Sequence, residues 1–225
     1  MTKKLVLLIR ALLRDLWRMR WMVVIITALG LFLLVFAIYL SWVSGLSPVT
    51  MTRDPLATLR APVYLGFISM IGVLFWSVGA AFCCCAWLVL RSNQIGVRLG
   101  IYYLAAACVS SLLGLDDLFQ FHEVVWFDLT GLSEVLIYCV YASLLLAFVW
   151  RFRNNLVQGP IALMALGASS LGISVAIDIF IEQTNLVVFV EDAFKFFGVL
   201  FWSSFFVVSV VRDLQLRLCD NGNGI

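Results

Sequence analysis

Charge is what this chain has least of. Of its 225 residues, 12% are Asp, Glu, Lys or Arg, where a soluble domain carries about 25%. Histidine occurs once, at His122. A single histidine excludes a pair of haem-ligating histidines, and there is no CxxCH, P-loop or Rossmann glycine pattern. Without GxSxG, the sequence also gives no support to a Ser-His-Asp hydrolase. The six cysteines do not make a framework. Cys83, Cys84, Cys85, Cys108 and Cys139 sit inside apolar runs and Cys219 in a polar tail. Adjacent helical residues point about 100° apart, so the triplet cannot turn three sulfurs toward one metal.

Apolar length is what remains. The chain is 64% hydrophobic with a mean hydropathy of +1.07. Six runs, at about 21–42, 62–90, 97–119, 133–150, 160–182 and 190–211, are each near the length of roughly 20 residues that crosses a bilayer as helix. The fold class expected is therefore all-α, a polytopic transmembrane bundle of six spans. Internal repeats of the inverted transporter type are not visible. Residues 212–225 read as a polar tail. Residues 3–18 read as an amphipathic interfacial helix, with Lys3, Lys4, Arg10, Arg14 and Arg18 within about 120° of arc and leucines on the remainder. Such a helix suits an anionic leaflet. Trp21, Trp42, Trp126, Trp150 and Trp202 fit aromatic belts near span ends.

The charges are few but sorted. In a six-span arrangement, 12 of the 15 Lys and Arg fall on the side of the termini, and 10 of the 13 Asp and Glu fall on the other. The positive-inside rule then places both termini in the cytoplasm, in a bacterial inner membrane by expectation. The formal net charge of +2 hides this asymmetry and gives no support for nucleic-acid binding. The partners expected are the bilayer, anionic lipids at the N-terminal helix, and a second copy or another membrane protein.

Four of the spans bring a carboxylate to one membrane face. Asp116, Glu134, Asp178 and Asp192 each stand about 17–20 residues from a basic or polar marker at the far end of their run, or about 26–30 Å of helix. Asp116, Gln120 and Glu123 have the i, i+4, i+7 spacing of one helical face, with Asp117 beside it and His122 nearby. Asp178 and Glu182 repeat the i, i+4 spacing. Glu191, Asp192 and Lys195 open the last run, and Lys195 has local partners at i−4 and i−3. Ionisable groups at membrane depth are costly and mark functional sites. The helix dipole accounts for Glu134, Glu191 and Asp192 near N-terminal ends, but not for Asp116, Asp117, Asp178 and Glu182 at C-terminal ends.

Three functions follow from this layer. The first is a site for a divalent cation or for protons, including transport. Asp116, Asp117, His122, Glu123, Asp178 and Glu182 would be its ligands or proton carriers, and Lys195 its counter-ion. A set rich in carboxylate favours Ca²⁺, Mg²⁺ or Mn²⁺ over Zn²⁺. No haem, flavin or nucleotide signal accompanies it. The second is a metal-dependent hydrolase acting on a lipid-like substrate, with metal-activated water. The third is an accessory membrane subunit without chemistry.

Overall fold

A computed structural model describes residues 17, 20–47, 49, 55–62, 64–92, 96–121, 125–131, 134–182 and 184–222. The amphipathic helix expected over residues 3–18 lies outside these, Trp17 excepted. The elements described are all helical, with no strand among the described residues. The chain forms two units, residues 1–65 and residues 66–225.

The first unit holds α1 (Arg20–Ser44) and α2 (Pro55–Leu59). α1 occupies the first expected span and runs 25 residues, closing at Gly45 with φ +69°. A left-handed residue there lets the chain leave the helix without the Cβ clash that other residues meet.

The second unit holds α3 (Phe67–Ser92), α4 (Val97–Phe119), α5 (Trp126–Thr130), α6 (Glu134–Gln158), α7 (Ile161–Phe180) and α8 (Asn185–Gly222). Among the described residues, five helices have the length and hydropathy to cross a membrane: α3, α4, α6, α7 and most of α8. This is an integral membrane protein. Thr184 caps α8, its hydroxyl accepting from the Val187 amide at 3.3 Å. Pro160 precedes α7, where its missing N–H costs nothing. α8 begins at Asn185, earlier than the expected 190, and continues to Gly222. At 1.5 Å per residue its 38 residues extend about 57 Å, well beyond a hydrocarbon layer.

Packing follows small residues. α3 lies along α4 and α8, α8 lies along α7, and α6 touches α4 and α7 more lightly. A Cβ on Gly167 of α7 would stand 3.1 Å from the Trp202 amide nitrogen and 3.3 Å from the Gly198 carbonyl oxygen. A Cβ on Gly198 would meet Leu171 at 2.6 Å. The glycines thus let α7 and α8 approach backbone to backbone. α6 bends at Phe152, whose φ of −116° and ψ of 16° leave the helical range.

Aromatic rings fill the interior. Trp76, Tyr102, Tyr103, Phe148, Phe152, Trp202, Phe205 and Phe206 are all buried. Trp202 meets Phe206 edge to face at 5.3 Å and Trp76 at 5.9 Å. Trp202 therefore belongs to the core and not to an aromatic belt. Its indole N–H donates to the buried Ser110 hydroxyl at 2.9 Å. Position near a span end was the wrong cue, because α8 extends further at both ends than its apolar run indicates.

Candidate functional site

The carboxylates of α4 and α7 and the lysine of α8 meet tyrosines of α6 at one end of the second unit. Asp116 lies three residues before the last residue of α4 and is only 7% exposed. Its Oδ1 accepts from the Tyr141 hydroxyl at 2.6 Å. Asp178, two residues before the end of α7, accepts from the Tyr138 hydroxyl at 2.7 Å. Tyr138 and Tyr141 are three apart on α6, so they share a face. One tyrosine reaches α7 and the other α4. The lighter backbone packing of α6 is thus supplemented by two side-chain hydrogen bonds to acids.

Asp117 turns the other way around α4. Its Oδ1 lies 2.6 Å from the Lys195 ammonium of α8, with the carboxylate side chain 8% exposed and the lysine 28%. A Cβ on Gly72 of α3 would stand 3.8 Å from the other Asp117 oxygen, so α3 covers this pair from a third side. A short, mostly desolvated ion pair holds α4 to α8 where a lone charge would be very costly.

Several residues sit differently from the regular helical faces read in the sequence. α4 ends at Phe119, and Gln120 takes a left-handed conformation with φ 51° while its amide bonds back to the Asp116 carbonyl. The i, i+4, i+7 face of Asp116, Gln120 and Glu123 is therefore broken after its first member. His122 and Glu123 lie outside the described residues. α7 likewise ends at Phe180 and Ile181 is extended, so Glu182 is exposed beyond the helix and does not share a helical face with Asp178. The side chain of Glu134 is outside the described set. Glu191 and Asp192 fall in the second turn of α8, since that helix starts at Asn185. The dipole favours anions mainly within the first turn, so it explains these two less well than an N-terminal placement would. Glu191 is half-buried and Asp192 exposed.

Helices α4, α7 and α8 carry Asp116, Asp117, Asp178 and Lys195, and α6 brings Tyr138 and Tyr141 to Asp178 and Asp116. Tyr138 and Tyr141 are the members that sequence reasoning missed. Their signal was present: two tyrosines three residues apart at the start of a span, in a run that also carries Glu134. Among the described residues, no three His, Cys, Asp or Glu side chains converge in a way that could hold a metal ion.

A family model described as Domain of unknown function (DUF8692) matches residues 5–209. The chain belongs to this family. No curated protein and no solved structure matches it. The matched stretch takes in the whole carboxylate layer, from Asp116 to Lys195.

Proposed function

We propose that this membrane protein binds protons at the carboxylate layer and that Asp116 is the acid at its centre. The observation behind this reading is Asp116 itself: a carboxylate 7% exposed, inside the bundle, hydrogen-bonded to a tyrosine of another helix. Asp116 and, beside it on α4, Asp117 are both almost withdrawn from water. Negative charge withdrawn from water must be offset by cations or protons. The donors already present favour protons. Hydroxyls of Tyr138 and Tyr141 and the Lys195 ammonium already reach these acids, and a proton adds to such an arrangement without rearranging it. A divalent ion of Ca²⁺ or Mg²⁺ type needs about six oxygens gathered on one point. Cation-coupled transport, if the layer serves it, then uses Asp116 as its proton carrier.

The orientation inferred is the one the charges favour, with both termini cytoplasmic and the layer facing outward. Reporter fusions at either terminus test it.

The test of the site is infrared difference spectroscopy on the purified protein across pH, beside the Asp116→Asn variant. A protonated-carboxyl band present in the parent and lost in the variant supports the reading. No such band at any pH, with the variant indistinguishable from the parent, makes the layer a solvated rim. Elemental analysis on the same samples covers the metal alternative: stoichiometric Ca, Mg or Mn removed by chelator would replace the proton reading.

A further inference from the structure

The end of the second unit opposite Asp116 has a polar layer of its own. Asp213 of α8 accepts from the Tyr103 hydroxyl of α4 at 2.8 Å on Oδ2. Its Oδ1 takes Arg212 Nη2 at 2.7 Å and Nε at 3.0 Å. Arg212 Nη1 donates to the carbonyl of Gln158, the last residue of α6.

This layer continues a line that begins at Asp117. Tyr103, Ser110 and Asp117 are spaced by seven on α4, and a step of seven returns to nearly the same helical face. Their partners are Asp213, Trp202 and Lys195 of α8. Lys195, Trp202 and Ser209 keep the same step of seven, and Asp213 is one turn beyond Ser209. Three polar contacts therefore run down facing sides of two antiparallel helices. Ser209 stands at the level of the Tyr103–Asp213 bond.

Two hydroxyls in this layer lack a partner among the described residues. Tyr102 is 1% exposed and Ser209 2% exposed. Among the described residues, neither Tyr102 Oη nor Ser209 Oγ has a hydrogen-bond partner. Tyr102 is beside Tyr103, with ring centroids 4.9 Å apart. Ser209 faces the same turn as Arg212: a Cβ on Gly159 would stand 3.0 Å from its Oγ. Buried hydroxyls are almost always satisfied, and where no protein group does it, ordered water does. Asp213 Oδ2 also keeps acceptor capacity, since a carboxylate has about four acceptor sites and three are taken.

We propose that this end of the bundle holds a water-binding site formed by Tyr102, Ser209 and the Tyr103–Asp213 pair. It gives the polar line between α4 and α8 a second mouth, on the face opposite Asp116. Use of that mouth as a proton inlet rests on the proton reading of Asp116, whereas the water site itself rests on the geometry.

Radiolytic hydroxyl-radical footprinting of the purified full chain tests it, because bound water is activated where it sits. The expected result is Tyr102 oxidation far above that of Phe205 and Phe206, which are equally buried, with loss of that excess in Ser209→Ala. Ser209→Cys, nearly the same size, serves if the alanine variant does not fold. Tyr102 oxidation no higher than that of the two phenylalanines overturns the site. So does an excess that both Ser209 variants leave unchanged. Failure here is distinguishable from failure of the proton reading, which is scored on the carboxyl band that Asp116→Asn removes.

Discussion

At the scale of single residues, the acids of this protein are defined by what they touch. Tyr141 gives its only hydroxyl to a carboxylate that is nearly dry. Tyr141→Phe keeps the ring and removes the donor, and leaving a buried acceptor short of a donor costs about 1–3 kcal/mol. Thermal unfolding in detergent should show that loss. Tyr138→Phe should show less, because Asp178 is only half-buried and water can replace the hydroxyl. Equal losses would mean that Asp116 is wetter than its burial indicates. The ion pair gives a second expectation. Lys195→Met alone strands the Asp117 carboxylate, at a cost of up to about 3–5 kcal/mol, whereas adding Asp117→Leu should recover much of it. A double-mutant cycle on the same unfolding signal measures the recovery, and additive losses would show that the two charges do not act as a pair. The acids and the lysine were legible in the sequence because a charge in an apolar run stands out. The tyrosines were not, since hydropathy counts them with the core and nothing local says which way a hydroxyl points. Trp202 shows the converse error, where a plausible belt position hid a buried hydrogen bond to Ser110.

Among the elements, span number and order in the second unit were readable from run length alone, and the ends were not. α4 stops at Phe119 because Gln120 turns left-handed, and α7 stops at Phe180 because Ile181 extends. Neither residue is glycine or proline, so no sequence punctuation marked these ends. Both stops fall just past the acids, and this is why Gln120 and Glu182 leave the faces they were expected to share. Close helix contact rests on particular glycines. Gly167 behaves as a close-approach residue, whereas a Cβ at Gly172 would meet nothing within 4 Å. Gly198 is the more restrictive position, because a Cβ there meets both the Leu171 side chain and, at 3.0 Å, its backbone nitrogen. Gly198→Ala should therefore push α7 from α8 and cost about 1–3 kcal/mol, the usual range for overpacking. Gly72→Ala is the control, since its Cβ meets Asp117 at ordinary contact distance. Comparable melting of the two variants would show that the α7–α8 approach is looser than these distances require.

For the molecule as a whole, α8 carries a gauge of membrane thickness. Lys195, at one polar layer, and Arg212, at the other, are 17 residues apart, about 26 Å along the helix. Trp202, Phe205 and Phe206 fill the interval with buried aromatic surface. A hydrocarbon layer of about 30 Å spans this distance with little tilt. The two layers are tied into the bundle by cross-helix contacts, to Asp117 at one end and to Tyr103 at the other. They cannot slide independently to suit a thicker bilayer, as a single free helix could by tilting. Stability should therefore peak in a narrow range of lipid chain length. Melting of the protein reconstituted into phosphatidylcholine bilayers of stepped acyl length should be highest where the hydrocarbon is near 26–30 Å, and should fall on the thick side by a fraction of a kcal/mol per Å. Paired replacement of Lys195 and Asp117 by apolar residues removes the upper marker together with its ion-pair partner. It should move the optimum toward thicker bilayers while leaving the Tyr103–Asp213–Arg212 layer in place. An optimum that stays where it was would place the Lys195 layer outside the hydrocarbon boundary, among the headgroups.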